Sequence, residues 1–244
     1  AEGEKTVFVI EPFDLFGIIN HGNPFSSTIS FSSNTGVNSV VIGFLNQNHA
    51  DESFIIGNSN YANEANITTK TANYIVGNNN VLIENNAVAI GFGCGVNKDE
   101  VIALSTGSSD YGTSQVALST PYLNTTDGIE TLFSGNGASF ILVPASLIDP
   151  STVFFTARIV ARQTGGTAGT VGDSKAWELK FVLSYASAAL TQIGSTTKTV
   201  IAASSGASAW DVDIDLTGQG SLTATGETDK TINFVAYLNA VECG

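Results

Sequence analysis

Asp211, Asp213 and Asp215 alternate with Trp210, Val212, Ile214 and Leu216 in "AWDVDIDLTG". Spacing of two puts the carboxylates on one strand face and the apolar side chains on the other, and a row of anions could take up a cation. An EF-hand loop begun at Asp211 would need glycine at 216 and glutamate at 222, where Leu216 and Leu222 stand, so the row reads as a solvated strand face. A second concentration of charge is Arg158, Arg162, Asp173, Lys175 and Glu178 around the Gly/Thr-rich stretch 164–172, in a chain with only nine Lys plus Arg. Arg162, Asp173 and Lys175 are the candidate receptor contacts there, and Trp177 is expected in the core. His21 and His49 are the only histidines and neither has triad or metal spacing. "GTSQV" and "GASAW" lack the nucleophile-elbow pattern. Cys94 and Cys243 form neither a disulfide framework nor a metal motif. Asp and Glu carboxylates converging from separate coils or chains could carry glycoside cleavage. The expectation is no enzyme, no cofactor and no metal.

These residues sit in a chain of 244 residues with net charge −13, 13% charged and 43% hydrophobic side chains and abundant Gly, Ser, Thr and Asn. That mixture suits an extended all-β protein. Nine cations against such acidity argue against nucleic acid as partner. No apolar run reaches about 18 residues, and the start "AEGEKTVFVIEPFDLFG" lacks the basic region of a signal peptide; no membrane insertion is expected.

A repeat organises the first half. "SVVIG" (39–43), "SFIIG" (53–57), "NYIVG" (73–77), "AVAIG" (87–91), "VIALS" (101–105) and "QVALS" (115–119) recur at steps of 14 residues, with one step of 20. A fixed period of this length means a solenoid or roll. Two apolar columns, beginning at Val40 and Ile42, flank a third, Val41, Ile55, Ile75, Ala89, Ala103 and Ala117. A strand apolar on both faces needs cover on both. The flanking columns are therefore expected to fill the coil and the middle column to face other chains at the axis of a cyclic oligomer. Gly43, Gly57, Gly77 and Gly91 supply the turn out of each strand, followed by Asn-rich corners.

"NNAVAIGFGCGVN" (85–97) with its 14-residue recurrence resembles the left-handed β-roll head repeat of trimeric autotransporter adhesins, the YadA-like head, which also occurs in phage tail fibres. The resemblance covers residues 37–122 and implies a left-handed, homotrimeric roll. Three departures are the 20-residue step, the loss of Gly after Gly91, and the bulky Phe54 and Tyr74 in a column expected inside. An adhesin would continue through a coiled-coil stalk into a translocator barrel; neither pattern is seen, which favours a virion fibre over the bacterial cell surface.

Beyond a polar bridge, candidate strands at 139–143, 152–162, 176–186, 197–203, 209–216, 220–225 and 231–241 predict an antiparallel β-sandwich of jelly-roll type. "GDSKAWELKFVLSY", "WDVDIDLTG" and "GSLTATG" resemble a C-terminal domain at the ends of some phage and marine viral structural proteins, over about residues 150–244. The expected organisation is a capping or attachment segment at 1–36 that meets other virion proteins, the roll at 37–122, a linker and first strand at 123–149, and the sandwich at 150–244. The expected function is a homotrimeric viral fibre or spike that recognises a host glycan or protein receptor through the sandwich. The alternatives are an adhesin head, a structural virion component and a polysaccharide-degrading tailspike.

Overall fold

The computed structural model describes residues 32–34, 39–50, 52–62, 73–83, 86–96, 101–106, 114–135, 138–142, 149–187 and 189–244. Phe8, Phe13, Phe16, Phe25 and His21, and with them nearly all of the 1–36 segment, lie outside the described residues.

The repeat folds as a β-solenoid of about four turns. Two-residue strands β1 (Ser33–Asn34), β3 (Gln47–Asn48), β5 (Tyr61–Ala62), β7 (Val81–Leu82) and β9 (Gly95–Val96) make a narrow parallel sheet. Five-residue strands β2 (Val40–Phe44), β4 (Phe54–Asn58), β6 (Tyr74–Asn78), β8 (Val88–Phe92) and β10 (Ile102–Thr106) interleave with them and form a broad parallel ladder. Register follows the glycine column: Gly43 pairs with Gly57, Gly57 with Gly77 and Gly77 with Gly91.

The strand faces are the reverse of the expectation. Ile55, Ile75, Ala89 and Ala103 are fully buried within a single chain, Ala117 nearly so, and Val41 is half-buried against them. They share the coil interior with Ala62, Leu82 and Val96. The supposed axis column is therefore each coil's own core, and the Val40 and Ile42 columns point outward. Volume decides it: a coil closed in about 14 residues encloses a narrow space, which Ala and Ile fill. Phe54 and Tyr74 fit because they stand outside.

The corners are built from stacked asparagines. Asn46, Asn60 and Asn80 are buried. The Nδ2 of each donates to the glycine carbonyl of the next rung, Asn46 to Gly57 (2.7 Å), Asn60 to Gly77 (2.7 Å) and Asn80 to Gly91 (3.1 Å). Each Oδ1 accepts the backbone N–H of the next asparagine, and Asn80 Oδ1 accepts from Cys94 N at 2.9 Å. Cys94 ends this ladder, its thiol directed at the carbonyls of Ile90 (3.5 Å) and Ala103 (3.7 Å). Burial pushes the thiol up to about 11 from 9.0, against the smaller opposing effect of the backbone hydrogen bonds. At pH 8, Cys243, which is exposed, is expected to react with a disulfide reagent in the native protein, and Cys94 only after denaturation. Because the folded-state value is raised, the contribution is present in full below pH 9 and lost as pH rises from 9 towards 11. Urea midpoints across that window should fall more steeply in the wild type than in Cys94→Ala.

"QVALS" is not a sixth rung. It lies in β11 (Ser114–Ser119), antiparallel to β10, with Ile102 opposite Leu118 and Leu104 opposite Val116. The reversal also explains the missing glycine. A Cβ on Gly91 would fall 1.8 Å from Ser105 O, as every corner glycine meets the rung above, but Ser105 has no parallel rung beyond it. Gln115 closes the narrow sheet's edge: its amide accepts from Gly95 N (3.0 Å) and donates to Gly95 O (2.9 Å), as a further strand would, and donates to buried Glu242 (2.7 Å).

The remaining strands are β12 (Tyr122–Thr125), β13 (Glu130–Leu132), β14 (Ser134–Gly135), β15 (Ala138–Ser139), β16 (Ser151–Gly166), β17 (Ser174–Ala186), β18 (Ala189–Ala203), β19 (Asp211–Asp215), β20 (Ser221–Thr225) and β21 (Lys230–Cys243). They do not form a jelly roll. β21 pairs with β11 and β12 along one edge and with β16 along the other, and β16, β17 and β18 follow as an antiparallel meander. The solenoid ladder thus continues as one thirteen-stranded sheet past residue 150. A second sheet, ordered β13-β20-β19, packs across its inner face. Phe234 is the hub, with Trp177 stacked on it at 6.2 Å and Phe133 and Trp210 against it at 6.2 and 6.5 Å.

Candidate functional site

Three loops meet at the far end of the long strands, at 167–173, 204–209 and 226–229. Two lysines hold them. Lys175 is buried, donates to the carbonyls of Ser208 (3.1 Å) and Trp210, and lies 5.2 Å from the Trp177 ring. Lys230 is buried too; its Nζ donates to Gly206 O and Glu227 Oε2, both at 2.7 Å, and stands 5.9 Å from the Trp210 ring. Glu227 also accepts from Trp210 Nε1 at 3.3 Å. Asp173 accepts from Ser204 Oγ (2.9 Å) and Thr170 N (3.3 Å). Gly206 fits only because it has no side chain, since a Cβ there would fall 1.9 Å from Asp173 Oδ2.

The three candidate receptor contacts are not brought together. Lys175 is inside the structure, Asp173 is half-buried and braces the loops, and Arg162 is exposed on the opposite, outer face of the sheet. What the loop end offers to a ligand is its exposed residues: Thr167, Thr170 and Val171, the last 62% exposed, on the first loop, Ser205 and Ser208 on the second, and Thr228 and Asp229 on the third. Hydroxyls and backbone amides beside one apolar side chain can hydrogen-bond and pack against a saccharide. Lys230 and Glu227 were not singled out in the sequence. The signal was there: Lys230 shares the inward parity of Ile232 and Phe234, as Lys175 shares that of Trp177 and Leu179, and a lysine on an inward column must find buried acceptors.

The acidic row lies on the outer face of the second sheet, with Trp210 and Val212 buried beneath it. Lys198 on β18 reaches over and donates to Asp211 Oδ2 (2.8 Å), Asp213 Oδ2 (3.3 Å) and Val212 O (3.0 Å). Partial burial alone would lower the Lys198 pKa, but the two carboxylates outweigh it and the value is raised. Asp215 is held below the usual carboxylate range by the backbone N–H and hydroxyl of Thr217. Two strands away, on β13, Glu130 accepts from Thr223 Oγ1 of the intervening β20 at 2.6 Å. Among the described residues no group of three or more His, Cys, Asp or Glu could hold a metal ion. The two aspartates on one ammonium present an anionic patch of fixed geometry, able to bind hydroxyls or act on them as a base.

The third surface is the outward face of the broad ladder. Ile42, Val76, Ile90 and Leu104 are 40–52% exposed there. No described side chain on this face carries charge from β2 through β11.

No protein-family model matches the chain, and no curated protein matches it. Solved structures do. The tailspike protein gp49 of Acinetobacter baumannii bacteriophage Fri1, a capsular polysaccharide depolymerase, is similar over 90% of this chain and 48% of its own, with 10% identity and a TM-score of 0.32. The tailspike of Acinetobacter phage vB_ApiP_P1 is similar over 87% of this chain and 48% of its own, at 11% identity and TM-score 0.26. The tailspike of Acinetobacter baumannii phage AM24 covers the same shares at 8% identity and TM-score 0.27. The chain spans about half the length of each. All three are phage tailspikes and none is a bacterial adhesin head. The expectation that the chain is not an enzyme is corrected on this finding, because the first of these structures is a depolymerase.

Proposed function

We propose that the chain is part of a phage tail attachment protein, homotrimeric and built on a roll of the YadA-like kind, that brings the virion to polysaccharide on the host surface. The observation that supports this reading best is the unbroken ladder. One thirteen-stranded sheet runs from the solenoid into the strands that end at the loop rim, so the rim is carried on a rigid base. Three identical weak sites on such a base gain effective concentration without any new contact. The hydroxyl-rich loop end that carries Val171 suits a polar, uncharged stretch of glycan better than an anionic partner, because Lys175 and Lys230 there are buried and already donate to carbonyls and Glu227.

Enzymatic cleavage is the second reading, favoured by the acidic row. Asp211 and Asp213 both touch Lys198, at 2.8 and 3.3 Å, which holds two carboxylates side by side on an exposed face, and glycoside cleavage is carried by a pair of carboxyl groups. One experiment addresses both readings. The protein is incubated with purified capsular polysaccharide from candidate hosts; retained binding is read by sedimentation and cleavage by new reducing ends. Binding is expected, weakened by Val171→Asp. Reducing ends lost in Asp211→Asn with binding retained would assign the chemistry to the acidic row. Absence of binding to every host surface tested would sink the attachment reading.

A further inference from the structure

We propose that the outer face of the thirteen-stranded sheet is the surface on which copies of this chain assemble, with both halves of the chain contributing to one continuous interface. This deepens the homotrimeric reading above and rests on it. One registered row carries it: from Ile42 through Val76 and Ile90 to Leu104 on the parallel strands, then on through Val241 to Phe154 on the antiparallel ones. Each of these side chains is 40–52% exposed in the single chain, and a second row, led by Val40 and Tyr74, stands beside them. About a dozen apolar side chains half open to water leave on the order of 1,000 Å². That exceeds the largest patch of an ordinary monomer and matches what each partner gives to a stable interface, roughly 800 Å².

The occupant is a second copy of the chain. The row repeats at the strand spacing, and the same face on every other copy repeats identically, so the faces of three copies can meet rung beside rung about a common axis. Charge agrees. The chain has 22 acidic residues against nine basic ones, yet the described solenoid part of this face has none of either, so two acidic chains can meet here without like charges at the contact. The charges on this face gather at its far end, where Glu178 pairs with Lys180 at 2.9 Å and faces Arg158 across the strands.

The test is solution mass of the whole chain by sedimentation equilibrium. The wild type is expected to be an oligomer. Ile90→Asp and Val241→Asp are each expected to give a monomer that keeps its β-sheet circular dichroism, since both positions face water in the single chain. Ile90→Thr, which keeps the β-branch and so the strand, should weaken assembly roughly tenfold. A monomeric wild type, or an oligomer that all three variants leave intact, overturns the proposal. Dissociation by Ile90→Asp but not by Val241→Asp overturns the continuous face. Polysaccharide binding is measured on the same samples: a monomeric wild type that still binds sinks this inference and leaves the attachment reading standing, and an oligomer that binds nothing does the reverse.

Discussion

Gly57→Ala is expected to unfold the solenoid. Gly57 sits at φ +131°, where an L side chain is strained, and a Cβ there would lie 1.7 Å from Gly77 O, 2.7 Å from Gly77 C and 3.1 Å from Asn60 Nδ2. No single-residue adjustment relieves this. Gly57 is paired in register with Gly43 below and Gly77 above, and Asn60 is bonded to the same Gly77 carbonyl. Making room means separating two rungs and giving up their hydrogen bonds. The cost is about 4 kcal/mol or more, a large share of the roughly 5–15 kcal/mol that holds an ordinary domain. Ser105 is the matched control, because it stands in the same column with no parallel rung beyond it; Ser105→Gly should cost about 1 kcal/mol. Thermal unfolding followed by far-ultraviolet circular dichroism separates the two. A Gly57→Ala protein melting within a few degrees of the wild type would mean that the corners are not close-packed as described.

The contrast between Gly57 and Ser105 also marks how much of this molecule is legible in its sequence. The period is legible because each rung repeats one backbone path, and the corner glycine recurs wherever another rung lies above. Which face of the rung is inside is not, because "VAI" and "FII" are apolar at three consecutive positions and alternation has nothing to choose between. Space makes the choice, and space belongs to the closed coil. The sixth copy misleads for a related reason: Val-Ala-Leu reads almost the same in either direction, so "QVALS" looks like a rung although its chain runs backwards. In the second half the strands themselves are readable, and six of the seven expected segments overlap β16 to β21. Their partners are not readable, because β11 and β21 meet across a separation of more than a hundred residues and nothing local encodes that pairing. At the loop end, charge drew attention to Lys175 as a contact residue, whereas strand parity places it inside. Parity is the better guide wherever a charge falls on an inward column, since burial then forces it to brace the fold.

Parity of the same kind gives the second large effect. Asn60, one of the corner residues that read as simple turn formers, is buried and makes a closed set of bonds. Its N–H and Nδ2 donate to Asn46 Oδ1 (3.1 and 3.0 Å), its Nδ2 donates to Gly77 O (2.7 Å), and its Oδ1 accepts from Asn80 N (3.1 Å) and Asn80 Nδ2 (2.9 Å). Asn60→Ala removes the four bonds made by the side chain and leaves a carbonyl and two N–H donors buried without them, for a loss of about 3–5 kcal/mol. Asn60→Asp keeps the shape and the two bonds accepted from Asn80, but turns the donor into an acceptor facing Asn46 Oδ1 and Gly77 O. Buried among acceptors, that carboxyl would have a folded-state pKa above the unfolded value of about 3.9. Its penalty is then absent below the unfolded pKa and grows as pH rises towards the folded one. Urea unfolding at pH 7 and pH 4 should therefore show Asn60→Asp as unstable as Asn60→Ala, or more so, at neutral pH and recovering at pH 4, after correction for the wild type. Asn60→Ala should not recover. Equal pH dependence in the two variants would mean that position 60 is open to water and that the corner ladder contributes little to the stack.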